Sequence, residues 1–465
     1  MELVCHIVGH ADALALPALR CVNVQWHGVV DIVRSRLKHR VRQPRSDSDG
    51  HVCTLRERCT IRYAKNVVAL GRWNIWDWMQ DCINDDMPGS ADLYHCMRAK
   101  AASLGDLERL QRIYPARSHA YDSAARYGHL HVLQWALAEG VLDPRNICRQ
   151  APKGGHLDVI QWALANGCKA YGNTCSAAVK YGHLDLVRWV REHGFEWSKM
   201  TCAAAAKGGH LEVLRWLRTN GCRWDEWTCI YAAKRGHLHV LEWAHGQGCP
   251  MDPMVCSQAA KSGHLRILQW ARERGCPWSE WTCTRAAGAG HLAVLQWART
   301  NGCPWGSDAC EWAAKKGHLH ILQWLRANGC PWDSVVCYVA AKHGHLDVLR
   351  WARSHGCPWN SSVMSCAAAN GHVAILEWAH TNGCPNTDAS RDAAYHGHLG
   401  ALAWANAKGL LWSDDLYLDA AVGGHLSVLE WLKVSGCPLP ERPPRSCDAI
   451  SKYAAIRDWF ARQYI

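Results

Sequence analysis

One ten-residue stretch decides the fold, because copies of it recur along most of the chain. It reads Ala205-Ala206-Lys207-Gly208-Gly209-His210-Leu211-Glu212-Val213-Leu214. The Gly-His dipeptide recurs every 27 residues, with a single interval of 26, and a Trp stands six residues after each of these histidines. Such self-similarity predicts a repeat array instead of a few unrelated domains. The twelve histidines are His129, His156, His183, His210, His237, His264, His291, His318, His345, His372, His398 and His425.

Each repeat has the pattern of two helices. In the unit around His264, apolar residues from Leu265 to Trp270 follow helical spacing, and Gly275 ends the helix. A short helix with the alanine pair Ala286-Ala287 then leads to the next Gly-His. One helix pair cannot bury its apolar face alone, whereas stacked pairs can. The predicted fold class is therefore an all-α solenoid of helix pairs with a small helical N-terminal domain.

The Ala-Ala-x-x-Gly-His-Leu-x-Val-Leu core resembles the ankyrin repeat, and the glycine eleven residues after the histidine, for example Gly221, also matches that family. Ankyrin units run to about 33 residues, whereas these run to 27. The missing residues fall between Gly221 and Thr228, where the family builds its β-hairpin finger. The resemblance implies ankyrin-like helix pairs with few or no fingers, and a role in protein binding. This Trp- and Cys-Pro-Trp-rich variant resembles the repeat arrays encoded by giant DNA viruses.

The edges of the array predict the division of the chain into segments. Residues 91–128 are interpreted as an N-terminal capping repeat and the first helix of the array, and 129–437 as the ankyrin-like array itself. Residues 438–465 start at a proline-rich break and are predicted to form a C-terminal cap, which a solenoid needs to cover its last apolar face. Residues 36–90 are interpreted as a basic linker and a Trp-rich packing region, and 1–35 as a separate helical segment.

The first 35 residues have apolar side chains at helical spacing, which by itself predicts a small helical cap. Their order and spacing also resemble the F-box, a family that binds Skp-type adaptors of cullin-based ubiquitin ligases. The Leu-Pro that usually opens that motif is missing, since only Met1 precedes Glu2. The resemblance implies that adaptor contacts would be made by Leu3, Val4, Ile7, Leu14, Leu19, Val22 and Trp26.

Charge and hydropathy indicate in which compartment of the cell the protein is expected. The net charge is +11, and residues 34–65 contribute +7 of it, with ten Lys or Arg against three Asp or Glu. A solvated linker explains this segment, with a nuclear-import or nucleic-acid patch as the alternative. No apolar run is long enough to predict a membrane span, and the first residues lack the pattern of a secretory leader. We therefore expect a cytoplasmic protein (the host cytoplasm for a viral one), with the nucleus as the alternative, and cysteines kept as thiols.

The histidines and cysteines recur at the same positions in many repeats, which argues against a single active site. Catalysis needs one constellation, whereas the histidines recur in twelve copies, so we expect the Gly-His pair to fix the turn between helices by hydrogen bonds. Zinc sites need close cysteine pairs, and here Cys276 and Cys283 are seven apart. Buried thiols and the second-helix tryptophans are expected to fill the core. We predict no enzyme, no metal site and no cofactor.

Two sets of first-helix positions are candidates for target binding. The residues seven and six positions before the histidine vary most between repeats, and we call them the variable stripe. Solvent-facing drift is the alternative explanation. The stripe candidates are Arg149, Gln150, Ile230, Tyr231, Ser257, Gln258, Arg285, Glu311, Trp312, Tyr338 and Arg391.

Three residues before the histidine, seven of the twelve repeats carry a lysine, and we call these the lysine row. A cation in the last turn also offsets the helix dipole, an effect of about 0.3–1 kcal/mol. The row comprises Lys153, Lys180, Lys207, Lys234, Lys261, Lys315 and Lys342.

These features predict a non-catalytic adaptor in which the array binds a protein target of unknown identity. With an F-box, the chain would be a substrate-recruiting subunit of an SCF-type ubiquitin ligase, with a Skp-type adaptor and a cullin as partners. The alternatives are a scaffold without a ligase link and a basic repeat protein that binds nucleic acid. The lysine spacing is wider than that of phosphates along a strand, which disfavours the last of these.

Overall fold

The structure, a computed structural model, describes a set of segments that covers most of the repeat array. The described residues form α-helices and no strands, which confirms the all-α class. The chain divides into two compact units, 1–93 and 94–465. The F-box-like positions lie outside the described residues, which are 90–113, 121–143, 147–168, 172–194, 196–386, 389–410, 415–440 and 454–463.

Helices alternate along the second unit as the first and second helix of each repeat, with an odd label for the first and an even label for the second. The first helices are α1 (Ser90–Leu104), α3 (Tyr121–Tyr127), α5 (Ile147–Gly154), α7 (Gly172–Tyr181), α9 (Lys199–Gly208), α11 (Glu226–Arg235), α13 (Pro253–Lys261), α15 (Glu280–Ala289), α17 (Ser307–Lys315), α19 (Ser334–Lys342), α21 (Ser362–Ala369), α23 (Ala389–His396) and α25 (Leu416–Gly423). The second helices are α2 (Leu107–Arg112), α4 (Leu130–Ala138), α6 (Leu157–Ala165), α8 (Leu184–Glu192), α10 (Leu211–Thr219), α12 (Leu238–Gly246), α14 (Leu265–Glu273), α16 (Leu292–Thr300), α18 (Leu319–Ala327), α20 (Leu346–Ser354), α22 (Val373–Thr381), α24 (Leu399–Ala407) and α26 (Leu426–Val434), and α27 (Ala454–Gln463) follows.

The core of the array is formed by alanine-rich first helices. From α3 to α25, each first helix packs against the first helix of the next repeat and against its own second helix. The alanine pair, for example Ala205 and Ala206, is fully buried because its small side chains let neighbouring helices approach closely. Second helices contribute larger apolar side chains such as Leu214 and Leu217, which are also fully buried. Because the first helices bury small side chains and the second helices bury large ones, small and large apolar residues alternate within each repeat of the sequence.

Two glycines in the left-handed conformation close the two turns of each repeat. Gly209 (φ 81°) follows α9, and Gly221 (φ 82°) follows α10. In both turns the next residue donates its N–H to a carbonyl five residues back, 3.1 Å for His210 and 2.9 Å for Cys222. This is the glycine-dependent way of ending a helix. We name these the Gly–His turn and the Gly–Cys turn. Residues 220–225, between α10 and α11, contain no strand, as expected from the short repeat length.

The repeated histidine acts between repeats. His210 is the N-cap of α10, but its side chain makes no capping hydrogen bond. Its Nε2 instead donates to the carbonyl oxygen of Lys180 in the preceding repeat, at 3.0 Å. His183 and His345 bond equivalent carbonyls of preceding repeats at 3.1 and 3.2 Å. The Gly-His pair thus fixes its turn through backbone hydrogen bonds, as expected, and the histidine side chain in addition joins neighbouring repeats.

The second-helix tryptophans are less buried than the sequence predicts. Most are half-buried, with Trp270 and Trp404 as buried exceptions among the described repeats. Six of them meet the tryptophan of the preceding Gly–Cys turn edge to face, as in the pair of Trp224 and Trp243, whose ring centroids are 5.9 Å apart. The rim of the stack is therefore closed by aromatic pairs, which keep part of each indole at the surface.

Candidate functional site

The lysine row lies at the carboxyl ends of the first helices. Its members stand in the last turn of their helices, as Lys207 does in α9 and Lys234 in α11. Lys180, Lys234, Lys261 and Lys342 are exposed, and the others are half-buried. Five of these residues also accept, at their backbone carbonyls, the histidine bonds from the next repeat: Lys153, Lys180, Lys207, Lys315 and Lys342. The backbone under the row is therefore held in place by the contact that stacks the repeats.

The charges of the row are not neutralised by neighbouring acids. In the described part of the chain, no carboxylate forms an ion pair with Lys180, Lys207, Lys234, Lys261, Lys315 or Lys342. Burial lowers the pKa of Lys207, and the nearby charges of Lys180 and Arg235 lower it further. Burial likewise lowers the pKa of His343, with added effects of Lys315 and Lys342. The charges of Lys180, Lys207 and Lys234 are thus close enough to repel one another, as are those around His343, and Gly288 interrupts the row between Lys261 and Lys315.

Aromatic rings lie beside the lysines. The Nζ of Lys207 is 5.3 Å from the ring centroid of Tyr231 in the next repeat, and that of Lys315 is 4.7 Å from Trp312. Lys342 is similarly placed 5.8 Å from Tyr338. These distances allow cation–π attraction, which holds an ammonium near the surface without removing its charge. The row therefore combines fixed cations with exposed ring edges.

The structure shows a third set of surface residues, which the sequence analysis did not predict. Ten residues before the histidine, the first helices present apolar side chains, and Trp281, Met200 and Val335 are 46%, 43% and 37% exposed. Counted from the residue ten positions before the histidine, the residues six and three positions before it lie four and seven residues further along the chain. All three therefore share one face of a helix. That spacing was the available signal. The first helices consequently present an apolar end and a cationic end on the same face.

The variable stripe is only partly at the surface. Ile230, Ser257 and Gln258 are buried, at 1%, 5% and 8% exposure, so they cannot contribute to an exposed surface as they stand. The sequence treated variation between repeats as a sign of freedom from packing, but the close approach of neighbouring first helices covers these positions. Arg149 is exposed, and the half-buried members are Gln150, Tyr231, Arg285, Glu311, Trp312, Tyr338 and Arg391.

Three members of the stripe are further constrained by their surroundings. Arg391 donates from Nε to Asp419 at 2.8 Å, which ties α23 to α25. Burial raises the pKa of Glu311 above its ordinary value. Gln150 accepts a hydrogen bond from Lys153 of the lysine row, at 2.6 Å. Packing and local bonding thus explain part of the variation that the sequence assigned to target recognition.

The cysteines pair in a way that the sequence argument missed. The thiols of Cys202 in α9 and Cys222 in the following Gly–Cys turn lie within hydrogen-bonding distance, although they are 20 residues apart. Cys148 and Cys168 hold the same positions and form a disulfide, contrary to the expectation of thiols throughout. The sequence did contain a signal for this pairing. Cysteines of adjacent repeats are seven residues apart, so in a repeat of 27 residues the two cysteines of one repeat are 20 residues apart.

The described residues contain no group of three or more His, Cys, Asp or Glu side chains placed to hold a metal ion. No helix in these segments has the length and apolar character needed to span a bilayer.

Comparison with known proteins identifies the repeats. Residues 175–217, 200–245 and 336–380 match the family described as ankyrin repeats (many copies). These segments contain ankyrin repeats. The matched segments include α9 to α11 and α20 to α21, so four lysines of the row, Lys180, Lys207, Lys234 and Lys342, and the apolar Met200 lie within them. None of the curated proteins matches the sequence.

Three solved structures with some likeness are repeat proteins of low identity. The ankyrin repeat domain of human ASB11 is 17% identical, and the match covers 40% of this chain and 99% of that one, with a TM-score of 0.33. The pentatricopeptide repeat protein PPR10 from maize is 12% identical. The match covers 100% of this chain and 78% of that one, with a TM-score of 0.30. The structure of PPR10 in complex with an 18-nt psaJ RNA element is 12% identical. That match covers 88% of this chain and 66% of that one, with a TM-score of 0.36. These scores are too low to support any argument about this chain.

The matched segments lie within the predicted array and leave the N-terminal prediction untested. The matches begin at residue 175, so they do not bear on the F-box-like segment or on the resemblance to giant-virus arrays. Both remain predictions from the sequence. The array itself offers a repeated surface of cations and apolar side chains on a rigid backbone, which is suited to binding and has no catalytic constellation in the described residues.

Proposed function

We propose that the chain is a non-catalytic binding protein whose ankyrin repeats hold a protein partner along the first-helix face. The observation that carries this proposal is the lysine row, whose cations have no acidic partner in the described segments and repel one another. Unpaired charge of one sign on a rigid surface favours a partner of opposite charge. The exposed apolar side chains of Met200, Trp281 and Val335 supply area that such a partner would cover.

The partner that fits this face is an acidic segment of a protein that also carries apolar side chains. Carboxylates would neutralise the lysine row, while aromatic or aliphatic residues would cover the positions ten residues before the histidine. Nucleic acid offers negative charge too, but its affinity depends steeply on salt because each neutralised phosphate releases counterions. A protein segment held partly by apolar contacts loses less affinity when the salt concentration rises.

A charge-reversal experiment tests the proposed face. In the variant Lys207→Glu, Lys234→Glu, Lys261→Glu we expect about tenfold or weaker affinity for a fluorescent peptide that alternates Glu with Phe or Leu, because attraction becomes repulsion. The matched control is Arg188→Glu, Arg215→Glu, Arg350→Glu, which changes the same number of charges on exposed second-helix positions. Equal losses in both variants would show a non-specific charge effect and refute this face. Tighter binding of a single-stranded oligonucleotide, with steep salt dependence, would favour the nucleic-acid alternative.

The resemblance of residues 1–35 to an F-box supports a finer version of this proposal. In it, the chain recruits its target to an SCF-type ubiquitin ligase by raising the effective concentration of target lysines near the transfer machinery. Co-expression with a Skp-type adaptor tests it by size-exclusion chromatography. We expect a complex that Leu3→Asp with Ile7→Asp abolishes. A folded chain that forms no complex would leave an ankyrin-repeat scaffold without a ligase link, and the lysine-row experiment would stand independently of that result.

A further inference from the structure

The array contains a series of cysteine pairs, each enclosed in one repeat. One cysteine lies in the first helix, eight residues before the histidine, and the other in the Gly–Cys turn, twelve residues after it. The paired cysteines are fully or almost fully buried. In one repeat the pair is a disulfide, and in six others both cysteines are thiols. The pairs are Cys148–Cys168, Cys202–Cys222, Cys229–Cys249, Cys256–Cys276, Cys283–Cys303, Cys310–Cys330 and Cys337–Cys357.

The geometry within each repeat is the same. The first-helix thiol points at the turn, with the Sγ of Cys202 3.9 Å from the carbonyl oxygen of Cys222, and that of Cys256 4.0 Å from Cys276. In the disulfide-bonded repeat the two Cα atoms are 6.5 Å apart, within the range that a disulfide spans. In the repeats of Cys202 and Cys256, the first-helix thiol is thus directed at the turn that carries its partner.

The turn cysteine has a second fixed contact. Its thiol donates to the carbonyl of the residue that precedes the first helix of its own repeat, as Cys222 does to Ser198 at 3.6 Å and Cys357 to Asp333 at 3.2 Å. The same bond, always 24 residues apart, recurs in the intervening repeats. The thiol thus holds the end of a repeat against its beginning, and its rotamer is fixed near the first-helix cysteine.

The two thiols of a pair are chemically unequal. A hydrogen bond from Cys202 lowers the pKa of Cys222, with help from the nearby Arg218 guanidinium. The partner thiol, Cys202, has a raised pKa, because it donates that bond and is buried. Where the pair is incomplete, the effect reverses: the first-helix position opposite Cys384 is Met364, and burial raises the pKa of Cys384 to about 11. The thiolate is the attacking species in disulfide exchange, so the lowered pKa prepares the turn cysteine for that reaction in five pairs, those of Cys222, Cys276, Cys303, Cys330 and Cys357.

We propose that the cysteine pairs are dithiol–disulfide couples, oxidised one repeat at a time by a small-molecule disulfide such as glutathione disulfide, and that each oxidation staples a first helix to the Gly–Cys turn of its own repeat. The turn thiolate attacks the small disulfide, forming a mixed disulfide and releasing one thiol. The first-helix cysteine then loses its proton, attacks the mixed disulfide and releases the second thiol. Two cysteine thiols are oxidised and one glutathione disulfide is reduced to two glutathione molecules.

Stapling changes the stability of the array without changing its surface. A closed loop of 20 residues restricts the unfolded chain in each repeat, so oxidation stabilises the fold. The lysine row lies elsewhere on the first helices, and we expect its binding to be unaffected. The oxidised and reduced forms therefore differ in resistance to unfolding, and this proposal does not depend on the proposed partner.

The experiment uses the full chain, purified in the reduced state and equilibrated with mixtures of reduced and oxidised glutathione. Free thiols are trapped by alkylation, and cross-linked peptides are mapped by mass spectrometry. We expect links between cysteines 20 residues apart, a loss of two hydrogens per pair, and a melting temperature higher by about 5 °C or more that returns on reduction. Cys384 is the internal control and should remain alkylated.

Two variants make the result decisive. Met364→Cys completes the pair with Cys384 and should add one disulfide, and Cys256→Ala should remove only the link to Cys276. Links between different repeats, or thiols that stay reduced in excess glutathione disulfide while the folded chain remains intact, would overturn the proposal. A Met364→Cys variant whose Cys384 stays alkylated would also count against it.

Discussion

The two turns of each repeat look alike in the sequence and differ in the structure. Both contain a left-handed glycine, Gly209 at φ 81° and Gly221 at φ 82°. A Cβ on Gly209 would lie 2.7 Å from the imidazole of His237 in the next repeat, whereas one on Gly221 would meet nothing within 4 Å. The Gly–His turn is therefore part of the interface between repeats, and the Gly–Cys turn is a local feature of one repeat. Identical backbone requirements thus conceal different tertiary constraints.

The largest expected difference between the turns comes from substituting their glycines. Gly209→Ala should destabilise the array by about 2–5 kcal/mol, because left-handed strain of about 1–2 kcal/mol is added to a clash with His237. Gly221→Ala should show the strain alone, about 1–2 kcal/mol. Urea unfolding followed by circular dichroism measures both. Equal losses would mean that His237 moves aside freely and that the Gly–His turn is no more constrained than the other.

The helical glycines that precede the two turns should respond with opposite signs. Gly208 ends α9, and its Cβ would lie 2.2 Å from the backbone oxygen of Lys180, so Gly208→Ala should destabilise by about 1–3 kcal/mol. Gly246 ends α12 with nothing within 4 Å, so Gly246→Ala should stabilise by about 0.5–1 kcal/mol. Thermal unfolding of both variants provides the measurement. The same sign for both would remove the contrast between the two turns.

Acid should weaken the Gly–His turn selectively. Burial lowers the pKa of His210, His237 and His318, so the folded chain binds fewer protons at these sites than the unfolded chain. Their contribution to stability is full above the ordinary histidine pKa of about 6.5 and is lost as the pH falls through the lowered value.

The melting temperature of the native chain, measured from about pH 7.5 to 5.5, should fall more than that of the variant His210→Gln, His237→Gln, His318→Gln. Glutamine keeps a donor for the neighbouring carbonyl and does not titrate. Parallel curves for the two proteins would assign the acid sensitivity to other groups.

The smallest effect is expected in the Gly–Cys turn. Arg218 donates to the carbonyl oxygen of Cys222 at 2.6 Å, and its guanidinium carbon lies 4.1 Å from the ring centroid of Trp224. Arg218→Lys should cost about 0.5–1 kcal/mol, since an ammonium stacks less well on indole. Arg188→Lys is the control, because this half-exposed arginine has only a 3.9 Å ion pair with Asp185 and should change stability little. A larger loss at Arg188 would contradict this ranking.

The fold was largely predictable because its signals are local. The 27-residue period, the alanine pair and the two glycines each report a helix, a close approach or a helix end, and the structure has these features where the sequence placed them. The candidate surface was less predictable. The lysine row is found at exposed or half-buried helix ends, but Ile230, Ser257 and Gln258 proved buried, because variation between repeats also occurs at positions that pack.

The sequence by itself determined that this protein is an array of short helix pairs, since helical periodicity and turn glycines act over a few residues. Only the tertiary structure decided which distant groups meet: the imidazole of His210 with the carbonyl of Lys180, and the thiol of Cys202 with that of Cys222. These contacts join residues 20 to 30 positions apart. They depend on how neighbouring helices are placed in space, and the period of a repeat does not contain that placement.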